Sequence, residues 1–318
     1  MTVQSSSESL DRGLARGVMP RAKSGSTYNY VLRGVALLFT AVLALFVWSV
    51  LHQSWPAWTK YGLHILTGNN WSPAENNFGA LALILATLIT AGVAILFAVP
   101  IGIGTALTLN FVVPRRLAAP LTTVVELLAA VPSVVYGLWG LNVIVPWMST
   151  TVQPWLASLT NSGWPFSGNA IGLGISTASL VLAIMVLPTI VAISRDVIAT
   201  VPRDLIEGAL SLGATRSQVL TRVVLPNAKI GLLGAVSLGA GRAIGETVAV
   251  AMVIGSSPSM PHSFFSLGST LASTIATQYI DSSPMHMAAL GALATILMVM
   301  TASVNAFARA LVNRKPKS

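Results

Sequence analysis

Most apolar residues of this chain are gathered into long uninterrupted blocks, and these blocks restrict its possible folds more than any other feature. A helix that spans a bilayer needs about 20 consecutive, mostly apolar residues. Only 8% of the residues are charged, too few to cover a water-exposed globule, since soluble domains carry about 25%. The sequence therefore predicts an all-α membrane protein, a polytopic bundle, rather than a large soluble core.

Six blocks are long enough to span the bilayer. They cover residues 31–51, 79–109, 118–148, 171–193, 230–255 and 286–311. The third block contains Pro132, where a helix can kink or break, so one span, a helix with a half-helix, and two short spans all remain open there. The predicted domains are an N-terminal tail at 1–30, a transmembrane domain at 31–311 with its core at 79–255, and a C-terminal tail at 312–318.

The positions of the positive charges predict the orientation. Basic residues cluster in both tails, in the turn after the second block and in the loop after the fourth, whereas the alternate loops contain only Lys60. Because loops rich in Lys and Arg stay on the cytoplasmic side, we expect both termini to be cytoplasmic and the chain to lie in the inner membrane. The basic residues that give the net charge of +9 lie where membrane topology requires them, so the charge does not indicate nucleic acid binding.

Three charged residues fall inside the predicted spans: Glu126, Arg242 and Glu246. Intramembrane charges are costly and usually functional. Arg242 and Glu246 are four residues apart, so on one helix they would share a face and could pair; Glu126 could join them from another span. We interpret the three as a substrate path in which Arg242 is the ligand for an oxyanion. The alternative is an ion pair that only locks helices together.

Gly241 and Gly245 form a G-x-x-x-G pair, which predicts a close helix–helix contact. No P-loop, nucleophile-elbow or metalloprotease motif occurs, and the four histidines do not cluster. We therefore expect no catalytic site, no metal and no cofactor in this chain.

The segment 194–229, hereafter the 194–229 loop, is the longest charged stretch. Its pattern predicts a helix from Pro202 to Gly213 and a second helix from Ala214 to Leu225, stopped by Pro226. An amphipathic pair of this kind suits docking into a groove of a partner protein. An interfacial helix lying on lipid is the alternative.

The run EGALSLGATRSQVLTRVVLP, residues 207–226, resembles the EAA loop of ABC importer permeases. The matching positions are Glu207, Ala209, Gly213, Val223 and Pro226. The run departs from the family at Gly208, where Ala is usual. The resemblance implies a type I ABC importer permease fold, in which this loop, including Ala214, forms the coupling helix held by an ATPase subunit.

Four further stretches are similar to PstC-type permeases of phosphate-specific ABC importers. They are NFGAL (77–81), ELLAAVPSVVYGLWGL (126–141), LPTIVAISRDVIATVPRDL (187–205) and GAGRAIGETVAV (239–250). The similarity implies phosphate import by alternating access, with Arg242, Glu246 and Glu126 in the phosphate path. It also implies the partners: two copies of an ATPase subunit that uses ATP and Mg, a PstA-type sister permease, and an extracytoplasmic phosphate-binding protein.

The residues alone leave other functions open. A permease for another oxyanion or a metal, a secondary transporter or channel independent of an ATPase, and a membrane sensor would all fit a helical bundle with a charged loop. Phosphate is favoured over sulfate by one chemical difference. Hydrogenphosphate carries O–H groups that a carboxylate such as Glu246 can accept, whereas sulfate has none and would be repelled.

Overall fold

A computed structural model of the chain describes residues 26–161, 163–280 and 282–313. Residues 1–25 and 314–318, which make up most of the two predicted tails, lie outside the described residues. The α-helices are α1 (Ser26–Tyr61), α2 (His64–Thr67), α3 (Leu81–Phe111), α4 (Arg115–Ala130), α5 (Ser133–Trp139), α6 (Val145–Trp147), α7 (Gln153–Leu159), α8 (Ile175–Ala199), α9 (Arg203–Ser211), α10 (Arg216–Val219), α11 (Leu225–Gly245), α12 (Val248–Ile254), α13 (Leu271–Gln278) and α14 (Pro284–Asn313). Wide π-helical turns occupy Gly140–Ile144, Met148–Val152 and Leu220–Val224, a 3₁₀ turn occupies Pro73–Glu75, and an antiparallel hairpin pairs β1 (Trp71–Ser72) with β2 (Asn77–Phe78).

The described residues fall into two compact units, one ending at Ser49 and the other beginning at Val50. The first unit is the helical, strongly apolar first part of α1. The second contains the end of α1 and all the other elements.

Five continuous helical stretches in the described residues are long and apolar enough to span a bilayer. They are Tyr28–Tyr61, Leu81–Phe111, Ile175–Ala199, Arg216–Gly245 and Pro284–Ala310. A further pair, Arg116–Ala130 and Ser133–Leu159, is bent by 91° and gives a sixth span only if both halves count as one. The predicted polytopic helical bundle is confirmed, and the third block is a broken element rather than a straight helix.

The break in the third block occurs at Val131 and Pro132, both in extended backbone conformations. A proline restricts the residue before it to extended conformations, so α4 ends and α5 starts afresh at Ser133. The Tyr136 hydroxyl donates to the carbonyl oxygen of Leu128 at 2.9 Å. The same carbonyl also accepts the N–H of Val131 at 3.2 Å, so two donors hold the end of α4.

Each π-helical turn precedes a proline. The residues just before Pro146, Pro154 and Pro226 donate their N–H groups five residues back, to Gly140, Met148 and Leu220. A proline in a regular helix clashes with the carbonyl four residues earlier, and the wider turn relieves that clash. The prediction that Pro226 stops a helix is therefore wrong, because Arg216–Gly245 passes through it as one stretch.

Two other predicted boundaries of this region also need correction. The block 230–255 is interrupted, because Glu246 has extended backbone (ψ 129°) and separates α11 from α12. The 194–229 loop is shorter than expected, since α8 continues to Ala199. The first loop helix is confirmed, with Pro202 at the N-cap of α9 and Gly213 just beyond its end at φ +83°.

The core of the bundle is built on α8, which packs against α3, α4 and α11. Small residues on α3 allow a close approach: a Cβ added at Gly102 would lie 2.8 Å from Cγ2 of Ile190. In α8, 67% of the most apolar window is buried, a larger share than in the other described spans. This helix therefore fixes the positions of the side chains described below.

A second cluster surrounds His286 at the start of α14. The His286 ring stacks on Phe78 of β2, and Trp71 of β1 meets it edge-on. Gln278 Oε1 accepts a hydrogen bond from Trp71 Nε1 at 2.9 Å and lies 3.0 Å from His286 Nε2. These contacts connect the hairpin to α13 and α14.

Candidate functional site

Arg242 lies half-buried in the last turn of α11 and binds across to α8. Its Nη1 donates to Oγ1 of Thr189 at 2.8 Å. None of the ion pairs within 4.0 Å in the described residues includes Arg242. A guanidinium has five N–H donors, so one bond to a neutral hydroxyl leaves most of its donors and all of its charge available to a ligand.

Glu246 does not share a helical face with Arg242, because α11 ends at Gly245. Its Oε1 instead accepts the backbone N–H of Ala249 at 3.2 Å, at the start of α12. A carboxylate at a helix N-terminus is stabilised by the helix dipole. The expected Arg242–Glu246 pair is therefore not formed, because the break at Glu246 removes the i, i+4 geometry that the expectation required.

Glu126 also has a different partner from the one expected. Its Oε1 lies 3.5 Å from Nη1 of Arg195, while Nη2 of Arg195 lies 3.7 Å from Oδ1 of Asp196. Glu126 is on α4 and Arg195 near the end of α8, so this contact joins two helices. The structure thus divides the three predicted path residues into separate places: Arg242 with Thr189, Glu246 at the α11–α12 break, and Glu126 with Arg195.

The partners of Arg242 and Glu126 are residues that sequence reasoning missed. Thr189 was one of many hydroxyl residues in apolar blocks, and nothing in its local sequence marks it. Arg195 was assigned to a loop because of its charge; the apolar pattern that continues through Val197 and Ile198 was the available signal that the helix extends past it.

Among the described residues, the expected G-x-x-x-G contact is not formed. A Cβ added at Gly245 would meet nothing within 4 Å, and one at Gly241 would only touch Cγ2 of Thr301 at 4.0 Å. The close approach of α11 to α8 occurs elsewhere, since Cβ atoms at Gly231 and Gly239 would lie 2.4 Å from Val197 and 2.8 Å from Ile190. The motif identified a glycine-rich helix but not the face that packs.

The 194–229 loop presents two faces. Ile206, Ala209 and Ala214 pack with a cluster of buried residues from the spans, including Ala106 and Val224. On the other side, Glu207 and Gly213 are exposed. Three leucines of the loop are also exposed: Leu205 and Leu210, which border the packed face on its two sides, and Leu212, which is 91% exposed. The loop is therefore fixed to the bundle by one face and leaves an apolar, partly acidic face uncovered.

Hydrogen bonds between α9 and α10 also hold the loop in a defined conformation. Thr215 and Gln218 form a reciprocal capping box at the start of α10, which satisfies two otherwise unpaired N–H groups. The N–H of Ala214 donates to the carbonyl of Ala209 at 3.1 Å. Pro226 is exposed and continues the helix beyond the π-helical turn.

Residues 98–316 match the family described as binding-protein-dependent transport system inner membrane component. The chain is 40% identical to the phosphate transport system permease protein PstC of Mesorhizobium japonicum, over 92% of this chain and 91% of that protein. It is 41% identical to the protein of the same name from Haemophilus influenzae, over 88% and 90% of the two chains.

Solved structures share the fold at low sequence identity. A chain of a bacterial alginate ABC transporter, solved in complex with an alginate pentasaccharide-bound periplasmic protein, superposes with a TM-score of 0.57 at 20% identity, covering 92% of this chain and 97% of that one. A chain of the inward-facing MetNI methionine ABC transporter gives 0.54 at 16% identity, over 74% and 93%. The chain belongs to the family of binding-protein-dependent transport inner membrane components and, within it, to the PstC-type permeases.

Proposed function

We propose that this chain is a transmembrane permease subunit of an ATP-driven importer and moves inorganic phosphate by alternating access. The observation that carries the proposal is the environment of Arg242: a half-buried guanidinium in a helical bundle whose hydrogen bond goes to the neutral Thr189 hydroxyl. A buried cation normally has a counter-charge. An anionic substrate would supply that charge during transport, and the PstC proteins that this chain resembles carry phosphate transport in their names.

The chemistry around Arg242 favours an oxyanion with its own donors. The planar guanidinium matches two oxygens of a tetrahedral oxyanion. Glu246 Oε1 accepts the Ala249 N–H, and its second oxygen remains available to accept an O–H. Hydrogenphosphate offers that O–H, whereas sulfate would bring only acceptors and charge repulsion. Arg242, Glu246 and Glu126 therefore remain our assignment for the phosphate path.

Energy for transport would come through the 194–229 loop. We assign Glu207, Ala209, Gly213, Ala214 and Pro226 to the coupling with an ATPase subunit, in which Ala209 and Ala214 hold the loop against the spans and the exposed residues meet the partner. Leu210 and Glu207, three residues apart on α9, are both exposed and are neighbours on the helix surface, a combination suited to a helix-in-groove contact. ATP and Mg²⁺ would be bound by two copies of that subunit and not by this chain.

The complete importer would contain further partners. A PstA-type sister permease would close the other side of the path, and a phosphate-binding protein would deliver the ligand to the loops on the outward face. The distribution of basic residues supports cytoplasmic termini, with the 194–229 loop on the same side.

Uptake of radiolabelled phosphate by the importer, reconstituted with its ATPase, sister permease and binding protein, tests the proposal. We expect Arg242→Ala to abolish uptake at normal assembly and Glu246→Gln to reduce it. Full uptake by both variants would show that the path lies elsewhere. Uptake without ATP hydrolysis would instead indicate a secondary transporter or channel.

A further inference from the structure

The ion pair between Glu126 and Arg195 is long and open on one side. The Nη1–Oε1 distance is 3.5 Å, and the side chains are 29% (Arg195) and 59% (Glu126) exposed. Strong guanidinium–carboxylate bonds are shorter, about 2.7–2.9 Å. The Arg195 guanidinium is therefore only loosely held and accessible from outside the chain.

Arg195 lies on α8 less than two helical turns beyond Thr189, the partner of Arg242. Most of α8 is covered, but Thr189, Ala192, Arg195 and Asp196 are partly or fully exposed. Thr189, Ala192 and Asp196 follow steps of three and four residues along one side of the helix, and Arg195 is turned about 120° from Thr189 around the axis. Six residues separate Thr189 from Arg195, which corresponds to about 9 Å along the axis.

The backbone at Arg195 is fixed although its side chain is not. Asn110 Nδ2, near the end of α3, donates to the carbonyl oxygen of Arg195 at 3.1 Å. The next residue, Asp196, is exposed and offers only a 3.7 Å contact. A guanidinium on a fixed backbone, with weakly bound carboxylates, can exchange one of them for another anion without any rearrangement of α8.

We propose that Arg195 is a second phosphate ligand, reached after Arg242 on the way toward the segment that follows α8, and that Glu126 occupies its guanidinium when phosphate is absent. This inference rests on the proposed phosphate function. Phosphate leaving Arg242 displaces the Glu126 carboxylate, binds Arg195 through two oxygens, and is released when Glu126 returns. Competition by the carboxylate keeps the second binding step weak, which a transport path requires.

The alternative role for this pair is purely structural: it would hold α4 against α8. Exchanging the two charges separates these roles. A structural pair works in either orientation, whereas a phosphate ligand must be a cation on α8. The test is the initial rate of phosphate uptake by the complete reconstituted importer, measured together with its phosphate-stimulated ATP hydrolysis.

We expect Arg195→Gln to lower phosphate uptake at least about tenfold, the loss that corresponds to one charge-assisted hydrogen bond. Arg195→Lys should keep part of the activity. The double variant Arg195→Glu with Glu126→Arg should stay as inactive as Arg195→Gln. Asp196→Asn is the matched control, because it removes the other carboxylate beside Arg195 and should leave uptake within about twofold of the wild type.

Wild-type uptake by Arg195→Gln, or recovery of uptake in the charge-exchanged variant, would overturn the inference and leave a structural pair. Both outcomes differ from failure of the proposed phosphate function, because that failure would leave the unaltered importer without phosphate uptake.

Discussion

Nη1 of Arg242 lies 2.8 Å from Oγ1 of Thr189, so a charged donor on α11 is held by a neutral acceptor on α8. The hydroxyl orients the guanidinium without neutralising it. An arginine that has to bind an anion and release it again benefits from this arrangement, since a carboxylate at the same distance would compete with the substrate.

Replacement of Thr189 tests this orientation. We expect Thr189→Val, which keeps the shape and removes the acceptor, to raise the KM for phosphate uptake by about tenfold, as a hydrogen bond to a charged group is worth about 1.5–3 kcal/mol. Thr189→Ser retains the hydroxyl and is the control. Equal KM values for the Val and Ser variants would show that the hydrogen bond does not position Arg242.

Substitution by Ala should change the stability of the 194–229 loop in opposite directions at two of its glycines. Gly208 lies within α9 with nothing within 4 Å of an added Cβ, whereas Gly213 has φ +83°. Gly208→Ala should stabilise α9 by about 1 kcal/mol, and Gly213→Ala should cost about 1–2 kcal/mol because an L-residue is strained there.

The measurement is phosphate-stimulated ATP hydrolysis by the complete importer, together with the amount of ATPase subunit that co-purifies. Gly208→Ala should leave both unchanged, and Gly213→Ala should lower both. Loss of the ATPase subunit from the Gly208→Ala importer would mean that the partner requires the open space at that position.

The packing of α3 on α8 gives a prediction for stability. A Cβ at Gly102 would lie 2.8 Å from Ile190, whereas one at Gly104 would meet nothing within 4 Å. We expect Gly102→Ala to destabilise the chain by about 1–3 kcal/mol through overpacking and Gly104→Ala to have little effect. Thermal unfolding in detergent measures both, and equal midpoints would show that α3 can shift away from α8 without cost.

The Gln278 cluster gives a further prediction. Gln278 Oε1 lies within hydrogen-bond distance of both Trp71 Nε1 and His286 Nε2. Gln278→Leu should destabilise the chain by about 1–3 kcal/mol, because it leaves buried polar groups without partners. Gln278→Glu keeps an acceptor and should lose less. Tryptophan fluorescence during chemical unfolding measures the difference, and a Leu variant as stable as the Glu variant would contradict the role of these bonds.

The sequence was sufficient for the features that depend on composition and simple periodicity. Blocks long enough to span a bilayer, the helix between Pro202 and Gly213, and the resemblance of residues 207–226 to a coupling loop all follow from local pattern. The break at Pro132 was one of several possibilities, because a proline can kink a helix or end it.

The sequence-based predictions that were wrong share one physical cause. Local sequence rules do not determine the backbone conformation beyond the next turn. Pro226 normally ends a helix, but the preceding π-helical turn accommodates it. Arg242 and Glu246 have the spacing of a helical pair, yet the chain becomes extended at Glu246. The packing glycines, Gly231 and Gly239, are distinguished from Gly241 and Gly245 only by the position of α8.

The π-helical turn Leu220–Val224 also determines how α10 and Arg242, at opposite ends of the helical stretch Arg216–Gly245, are rotated relative to each other about the helix axis. A π-helical turn accommodates one residue more than an α-helical turn, and one residue corresponds to a rotation of about 100° about the helix axis. The direction in which α10 meets the rest of the loop is thereby offset from the direction in which Arg242 points. Tightening this turn to an α-helix would rotate Arg242 relative to α10, and the clash of Pro226 with the carbonyl of Arg222 in a regular helix opposes that rotation.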